Sequence, residues 1–273
     1  MNLKELEKCF TRAFWLSFSK KKGLLVFPIL VLCGTLCVFF RALALDAKGW
    51  ISMSLIFLPI LFTSGILLGL GVLLIRMYYH EVKDIPFSFR KIIKSSWQVV
   101  SGTVYLSVPS LILYFVLWIM LGIFVLLKEI PGIGSFIGII LAFGPYILIL
   151  SSLLLCLFNV GLLFFVTPWV GLNAFHKLRE WDGILERVKK QLFAHFFFFL
   201  VAIFPMGLMA ALLYGAAVLT DIGYLVGQHT FSIAMKWFFM MVPFALFLTP
   251  AVIFFFNLAT EAYNLFYKKT EHA

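Results

Sequence analysis

The fold is decided by residues 50–75, which read WISMSLIFLPILFTSGILLGLGVLLI. This run has no charged side chain and exceeds the roughly 20 residues that a helix needs to cross a bilayer's hydrocarbon core. Because lipid offers no partner to a free backbone group, such a run crosses as a helix. Similar runs recur, and the full set is Gly23–Phe40, Trp50–Ile75, Val99–Leu127, Phe136–Val166, Phe193–Thr220 and Trp237–Thr260. The sequence therefore predicts an all-α membrane protein with six transmembrane helices in one polytopic domain, residues 1–273.

Composition agrees with this fold class and excludes others. The chain is 63% hydrophobic and only 12% charged, with a mean hydropathy of +1.06. A soluble domain carries about 25% charged residues, so this chain has too little polar surface to coat a water-soluble particle. Soluble enzymes, disordered tails and small disulfide-framed secreted domains are excluded on the same ground.

The distribution of basic residues predicts the orientation. With six spans and both termini in the cytoplasm, all but four of the 22 Lys and Arg residues fall on the inner side. The four on the outer side are Arg41, Lys48, Lys128 and Lys236. Short loops rich in Lys and Arg stay in the cytoplasm, which favours a multi-pass protein with both termini in the cytoplasm. The net charge of +10 is then explained by the attraction of these inner-side cations to anionic lipid headgroups. No nucleic-acid partner is expected.

The chain also reads as three parallel helix-hairpin repeats, at about residues 1–80, 81–175 and 176–273. Each repeat is predicted to begin with a cytoplasmic, interfacial amphipathic helix, because apolar residues recur there at steps of three and four. The second such helix is expected to open at Asp84 as its cap, with Pro86 in the first turn. The residues expected at the membrane interface are Trp15, Trp97, Trp181, Lys189 and Lys190.

The fourth and sixth spans carry the closest internal match. Pro145 precedes Asn159 by the same interval as Pro243 precedes Asn257, and Ser151 in one span corresponds to Thr249 in the other. The second span has a leucine at the equivalent position. Because each repeat contains two spans, all copies insert in the same sense.

Residues 13–28, with their Phe27–Pro28 pair, and residues 167–192 carry a family resemblance. The chain resembles bacterial six-helix inner-membrane families, including the membrane domain fused to some glycerophosphodiester phosphodiesterases. This resemblance implies a six-helix fold in the bacterial cytoplasmic (inner) membrane and carries no activity with it.

Polar residues in the spans suggest one candidate ligand site, formed by Asn159, Asn257, Glu261, Ser151 and Thr249. They would line a polar pocket that opens to the cytoplasm, among helices kinked by Pro145, Pro243 and Pro250. The alternative is that the two asparagines make ordinary interhelical hydrogen bonds. Glu261 is expected to extend to the inner interface, since the deep parts of the spans contain no ionisable group.

Glycine spacing predicts close helix packing at Gly65, Gly69 and Gly71 in the second span. The same is expected in the fifth span at Gly207 and Gly215, with Ala211 between them. Four-residue spacing of small side chains lets two helix backbones approach each other.

We expect no enzymatic activity, no cofactor and no metal site, because no span contains a catalytic set. A metal site from His80, Glu81, His176 and Glu180 is conceivable, but solvated interfacial residues explain them better. The function expected is that of a non-enzymatic accessory component of the cell envelope that binds membrane lipids or another membrane protein. The alternative is a permease or lipid-handling transporter with a cytoplasm-facing polar cavity.

Overall fold

A computed structural model describes residues 3–47, 50–86, 88–131, 134, 143–172, 192–219 and 230–267. The described residues are almost entirely helical and contain no strand. Eight α-helices occur in these ranges: α1 Leu3–Trp15, α2 Lys20–Asp46, α3 Trp50–Val82, α4 Phe89–Val104, α5 Val108–Lys128, α6 Phe143–Leu172, α7 Leu192–Leu219 and α8 Thr230–Tyr267.

Six helical segments in this part of the chain are long and apolar enough to cross a membrane. They are Lys20–Asp46, Ile51–Val82, Arg90–Lys128, Phe143–Leu172, Ala194–Leu219 and Thr230–Leu265. The prediction of an all-α, multi-pass membrane protein is confirmed at this level. The start predicted for the fourth span, Phe136, lies outside the described residues.

Helices α3 and α8 form the centre of the bundle. Helix α3 packs against α2, α4, α5, α6 and α8, and α8 packs in addition against α1, α2, α6 and α7. Every residue of α8 from 251 to 262 is buried. The largest apolar cluster joins this stretch to Leu68, Leu74 and Phe164. The C-terminal halves of α3 and α8 therefore build the main core.

Close helix packing at the predicted glycines of α3 is confirmed. A methyl group added to Gly71 would lie 2.4 Å from Cε1 of Phe256 and 2.6 Å from Cγ2 of Thr167, and one added to Gly65 would lie 2.6 Å from Oγ of Ser107. The same prediction is wrong for α7 within the described residues. A Cβ at Gly207 or Gly215 has no neighbour within 4 Å there, because α7 packs chiefly against α8 through its other residues.

The helix predicted to open at Asp84 begins at Phe89, with Ser88 at the N-cap position. Asp84 instead ends α3, in the left-handed region with φ 52°. The Asp84 N–H donates to the Glu81 carbonyl and the Ile85 N–H to the His80 carbonyl, the two bonds of a Schellman motif. Pro86 disfavours helical geometry at the residue before it, so α4 cannot continue back to this turn.

Helices α1 and α4 are each followed by a 3₁₀ turn and then by a membrane-spanning helix. The turns are Leu16–Phe18 and Tyr105–Ser107. Buried Ser17 and Ser107 occupy similar places in them, and each hydroxyl donates to the carbonyl three residues earlier.

The start of α2 and the ends of α3 and α8 lie at one end of the bundle. Polar residues of these three helices and of α1 contact one another there. At the opposite end, the guanidinium of Arg41 lies 4.5 Å from the ring centre of Trp237, and Thr230 donates to Asp46. Alternating helix directions thus separate these two groups of polar residues.

Candidate functional site: a buried charge cluster

Arg12 of α1 and Glu261 of α8 form a two-bond ion pair. The Nε of Arg12 donates to Oε1 of Glu261 at 2.7 Å, and Nη2 donates to Oε2 at 2.6 Å. The Glu261 side chain is 3% exposed and that of Arg12 39% exposed. The hydroxyl of Tyr78 donates to the same carboxylate. A fork of this kind fixes both the distance and the relative orientation of the two groups.

The Arg12 guanidinium remains charged in this setting. Partial burial alone would lower its pKa, but the hydrogen bond and Coulombic attraction to Glu261 outweigh burial and raise the pKa above its ordinary value.

Lys22, in the first turn of α2, forms the second ion pair. It is completely buried, and its Nζ lies 2.6 Å from Oε2 of Glu81 near the end of α3. The same ammonium donates to Oδ1 of Asn257 at 3.1 Å. Ser19 donates to the other oxygen of Glu81 at 3.2 Å. A buried ammonium needs such partners, because removal from water is costly for a charged group.

Asn257 and Tyr78 join the two ion pairs into one assembly. The amide of Asn257 donates to the carbonyl of Ala13 in α1 at 3.2 Å. The Tyr78 ring centre lies 4.8 Å from the Lys22 ammonium, while its hydroxyl binds Glu261. We call these residues the charge cluster: Arg12, Ala13, Ser19, Lys22, Tyr78, Glu81, Asn257 and Glu261. Its two cations balance its two carboxylates, and it ties together α1, α2, α3 and α8.

The predicted ligand-site residues make separate contacts. Asn257 and Glu261 belong to the charge cluster, whereas Asn159 accepts from Ser64 of α3 at 3.3 Å and donates to the Leu155 carbonyl. Thr249 donates within its own helix to the Ala245 carbonyl, and Ser151 is half-buried. Among the described residues, no hydrogen bond joins the two asparagines. Whether any of the five binds a ligand stays a prediction.

Two ionisable residues are more buried than the sequence predicts. Glu261, which is expected to extend to the inner interface, is buried against Arg12 and Tyr78. The basic run Lys20–Lys22 precedes the first predicted span and indicates interfacial charge, yet of its three residues Lys22 alone is buried. The reason is helical spacing, because Lys22 continues the buried stripe of Val26, Leu30 and Cys33 along α2.

The predicted interfacial residues are described only in part. Trp15 is 71% exposed and Trp97 is 65% exposed, on α1 and α4 respectively. Trp181, Lys189 and Lys190 lie outside the described residues, as does the third predicted amphipathic helix. The placement of these side chains in a membrane interface stays a prediction.

The conceivable metal site is likewise only partly described, since His176 and Glu180 lie outside those residues. Within the described ranges, no group of three His, Cys, Asp or Glu residues is arranged to hold a metal ion. Nδ1 of His80 contacts the carbonyl of Arg76 at 2.7 Å.

Compared with protein-family models, curated proteins and solved structures, the chain shows no significant match. Its function is therefore argued from its own residues, and the resemblance to bacterial six-helix families stays a prediction.

Proposed function

We propose that this chain is a non-enzymatic, multi-pass protein of the bacterial cytoplasmic membrane, an accessory component that binds lipids or a membrane partner. The observation that carries the proposal is the fork between Arg12 and Glu261. Together with the bond from Lys22 to Asn257, this fork engages two buried residues of the predicted pocket, Glu261 and Asn257, from inside the chain. Groups that are already paired within the protein favour a structural role over ligand capture.

Exposed aromatic and basic residues at the α1 end of the bundle support the lipid-binding part. Phe14, Trp15 and Phe18 are exposed around the end of α1, and Lys20 is exposed directly after them. On α4, exposed Trp97 follows the exposed cations Arg90, Lys91 and Lys94. Amphipathic aromatic rings beside Lys and Arg are typical of the headgroup region of a membrane, and the cations favour anionic lipids.

The repeat belongs to the same proposal. Helix, 3₁₀ turn and spanning helix occur in the same order over residues 3–46 and 89–128. Ser17 and Ser107 make matching bonds in the two turns. These similarities support parallel repeats with interfacial lead-in helices, α1 and α4 being the first two. The third lead-in lies outside the described residues.

One observation favours the alternative of a permease or lipid-handling transporter. The sequence predicts no ionisable group in the deep parts of the spans. Lys22 and Glu261 are buried within helices long enough to cross a membrane. Ionisable residues in such helices are costly and often mark transport pathways. In a transporter, the charge cluster would close one end of the substrate path through the membrane.

The experiment that separates these functions is purification in mild detergent followed by mass spectrometry of bound lipids and proteins. We expect an anionic lipid or a fixed protein partner in stoichiometric amount. A chain carrying Trp15→Ala and Trp97→Ala should lose bound lipid, whereas Phe204→Ala, at an exposed position of α7, should not.

A second measurement addresses the cavity. Asn159→Cys and Thr249→Cys are treated with a hydrophilic thiol reagent in membranes. Slow reaction at both positions supports the accessory function. Rapid reaction at both, together with no bound lipid or partner, would establish the transporter.

A further inference from the structure

Helix α1 is attached to the bundle chiefly through α8. Two polar contacts hold it there, the Arg12–Glu261 fork and the bond from Asn257 to the Ala13 carbonyl. The apolar part consists of buried Ala13, partly buried Leu6, and the rings of Phe10 and Phe14, whose centres lie 5.4 and 6.3 Å from that of Phe254. Ion pairs and hydrogen bonds exchange for equivalent partners more readily than an interdigitated apolar core, so this attachment is suited to release.

The backbone between α1 and α2 provides a hinge. Helix α1 ends at Trp15, the 3₁₀ turn covers Leu16–Phe18, and Ser19 is extended with φ −62° and ψ 119° before α2 begins. A few residues outside regular helix can absorb the dihedral changes of a rigid-body movement. Rotation of α1 about this segment, whose 3₁₀ turn contacts α8, would leave α2 in place.

The guanidinium of Arg12 binds a carboxylate on one side and is partly exposed on the other. One side of its guanidinium binds Glu261, and 39% of its side chain is exposed beside exposed Trp15 and Phe14. A phosphate monoanion presents two oxygens to a guanidinium in the same bidentate geometry as a carboxylate. An anionic phospholipid headgroup can therefore replace Glu261, with the aromatic rings of α1 entering the interface next to it.

We propose that α1 is a reversible latch, whose Arg12 exchanges Glu261 for the phosphate of an anionic phospholipid. In the docked state described here, the latch covers the α1 end of the bundle. Release leaves Glu261 without its guanidinium and Asn257 without the Ala13 carbonyl. The latch rests on the proposed lipid-binding function and makes the exposure of the charge cluster depend on the lipids around it.

The test is a spin-label distance measurement in nanodiscs. Labels are placed at Glu7→Cys on α1 and Lys91→Cys on α4, both exposed positions, in a chain whose native cysteines are replaced by alanine. In phosphatidylcholine we expect one docked population. When phosphatidylglycerol forms half of the lipid, the ratio of docked to released molecules should fall roughly tenfold. A change of this size corresponds to a modest difference in lipid affinity between the docked and released states.

Variants assign the effect to Arg12. Arg12→Gln should release α1 in both lipids, and Arg12→Lys, which keeps the charge but loses the fork, should dock weakly. Lys128→Gln, at the end of α5, removes an exposed cation outside the proposed lipid-binding residues and should behave as the parent. Inorganic phosphate added to phosphatidylcholine nanodiscs should leave the docked population unchanged, because the proposed ligand is a lipid.

Three results would overturn the latch. They are a single docked population at every lipid composition, a released fraction that does not change with phosphatidylglycerol, or a release by free phosphate as large as that by phosphatidylglycerol. Lipid retained on purification alongside any of these would reject the latch and keep the proposed function. Purification with neither bound lipid nor a fixed protein partner would reject the proposed function itself.

Discussion

Arg12 and Glu261, 249 positions apart in the chain, face each other through a two-bond fork. This pair joins the first described helix to the last one. Together with Lys22 and Glu81 it makes the α1 end of the bundle a polar, charge-balanced contact among four helices. The stability of the bundle should therefore depend on a few charged residues at this end.

Lys22 gives the first prediction. Lys22→Met leaves the partly buried Glu81 without its counter-charge and buried Asn257 without a donor, so we expect a loss of about 3–5 kcal/mol in the free energy of unfolding. Lys20→Met, at an exposed position in the same turn of α2, is the matched control and should change it by less than about 0.5 kcal/mol. Unfolding in mixed micelles measures both. Equal stability of the two variants would place Lys22 at the surface.

Adding Glu81→Gln to Lys22→Met should restore part of the lost stability, because the uncompensated carboxylate is then gone. If the double variant is less stable than Lys22→Met alone, the contact between Lys22 and Glu81 is not the source of the effect.

Gly71 tests the packing of α3 against α8. Gly71→Ala places a methyl group within contact distance of Phe256 and Thr167, and overpacking of this kind costs about 1–3 kcal/mol. Gly161→Ala in α6 is the control, since a Cβ there has no neighbour within 4 Å among the described residues. Thermal unfolding should rank Gly71→Ala well below the parent and Gly161→Ala at or above it. The reverse order would mean that α3 and α8 do not meet at this position.

Asn159 and Asn257 should contribute differently to the free energy of unfolding. Asn159→Leu removes bonds to Ser64 and to its own helix, for which about 0.6–2 kcal/mol is expected. Asn257→Leu removes partners of the buried Lys22 ammonium and of the Ala13 carbonyl, so its cost should be larger. Unfolding of both variants in the same micelles gives the comparison. A larger loss for Asn159→Leu would contradict the role assigned to Asn257.

The spans could be predicted from the sequence because crossing lipid needs only length and apolarity. Helical spacing places Lys22 on the same face as Val26, Leu30 and Cys33. Its burial could still not be predicted, because a lysine next to Lys20 and Lys21 is typical of an interfacial charge. The partners of Glu261 could not be read at all. Arg12 reaches it only because α1 folds back onto α8, a tertiary contact that leaves no local pattern.

Orientation gives a further prediction. Cysteines introduced one at a time at Lys83 and Lys128, both exposed, should react from opposite sides of the membrane. In intact cells, a membrane-impermeant thiol reagent should label Lys128→Cys and spare Lys83→Cys, as the positive-inside rule requires. Labelling of both positions, or of Lys83→Cys alone, would reverse or break the proposed topology.

The most direct measurement is a double-mutant cycle on Arg12 and Glu261. Arg12→Gln, Glu261→Gln and the double variant are unfolded in the same mixed micelles as the parent chain. We predict that each single change costs about 2–4 kcal/mol and that the double variant costs less than their sum, with a coupling of about 1–3 kcal/mol. Strictly additive losses would show that the two residues do not interact, and α1 would then not be held on α8 by this pair.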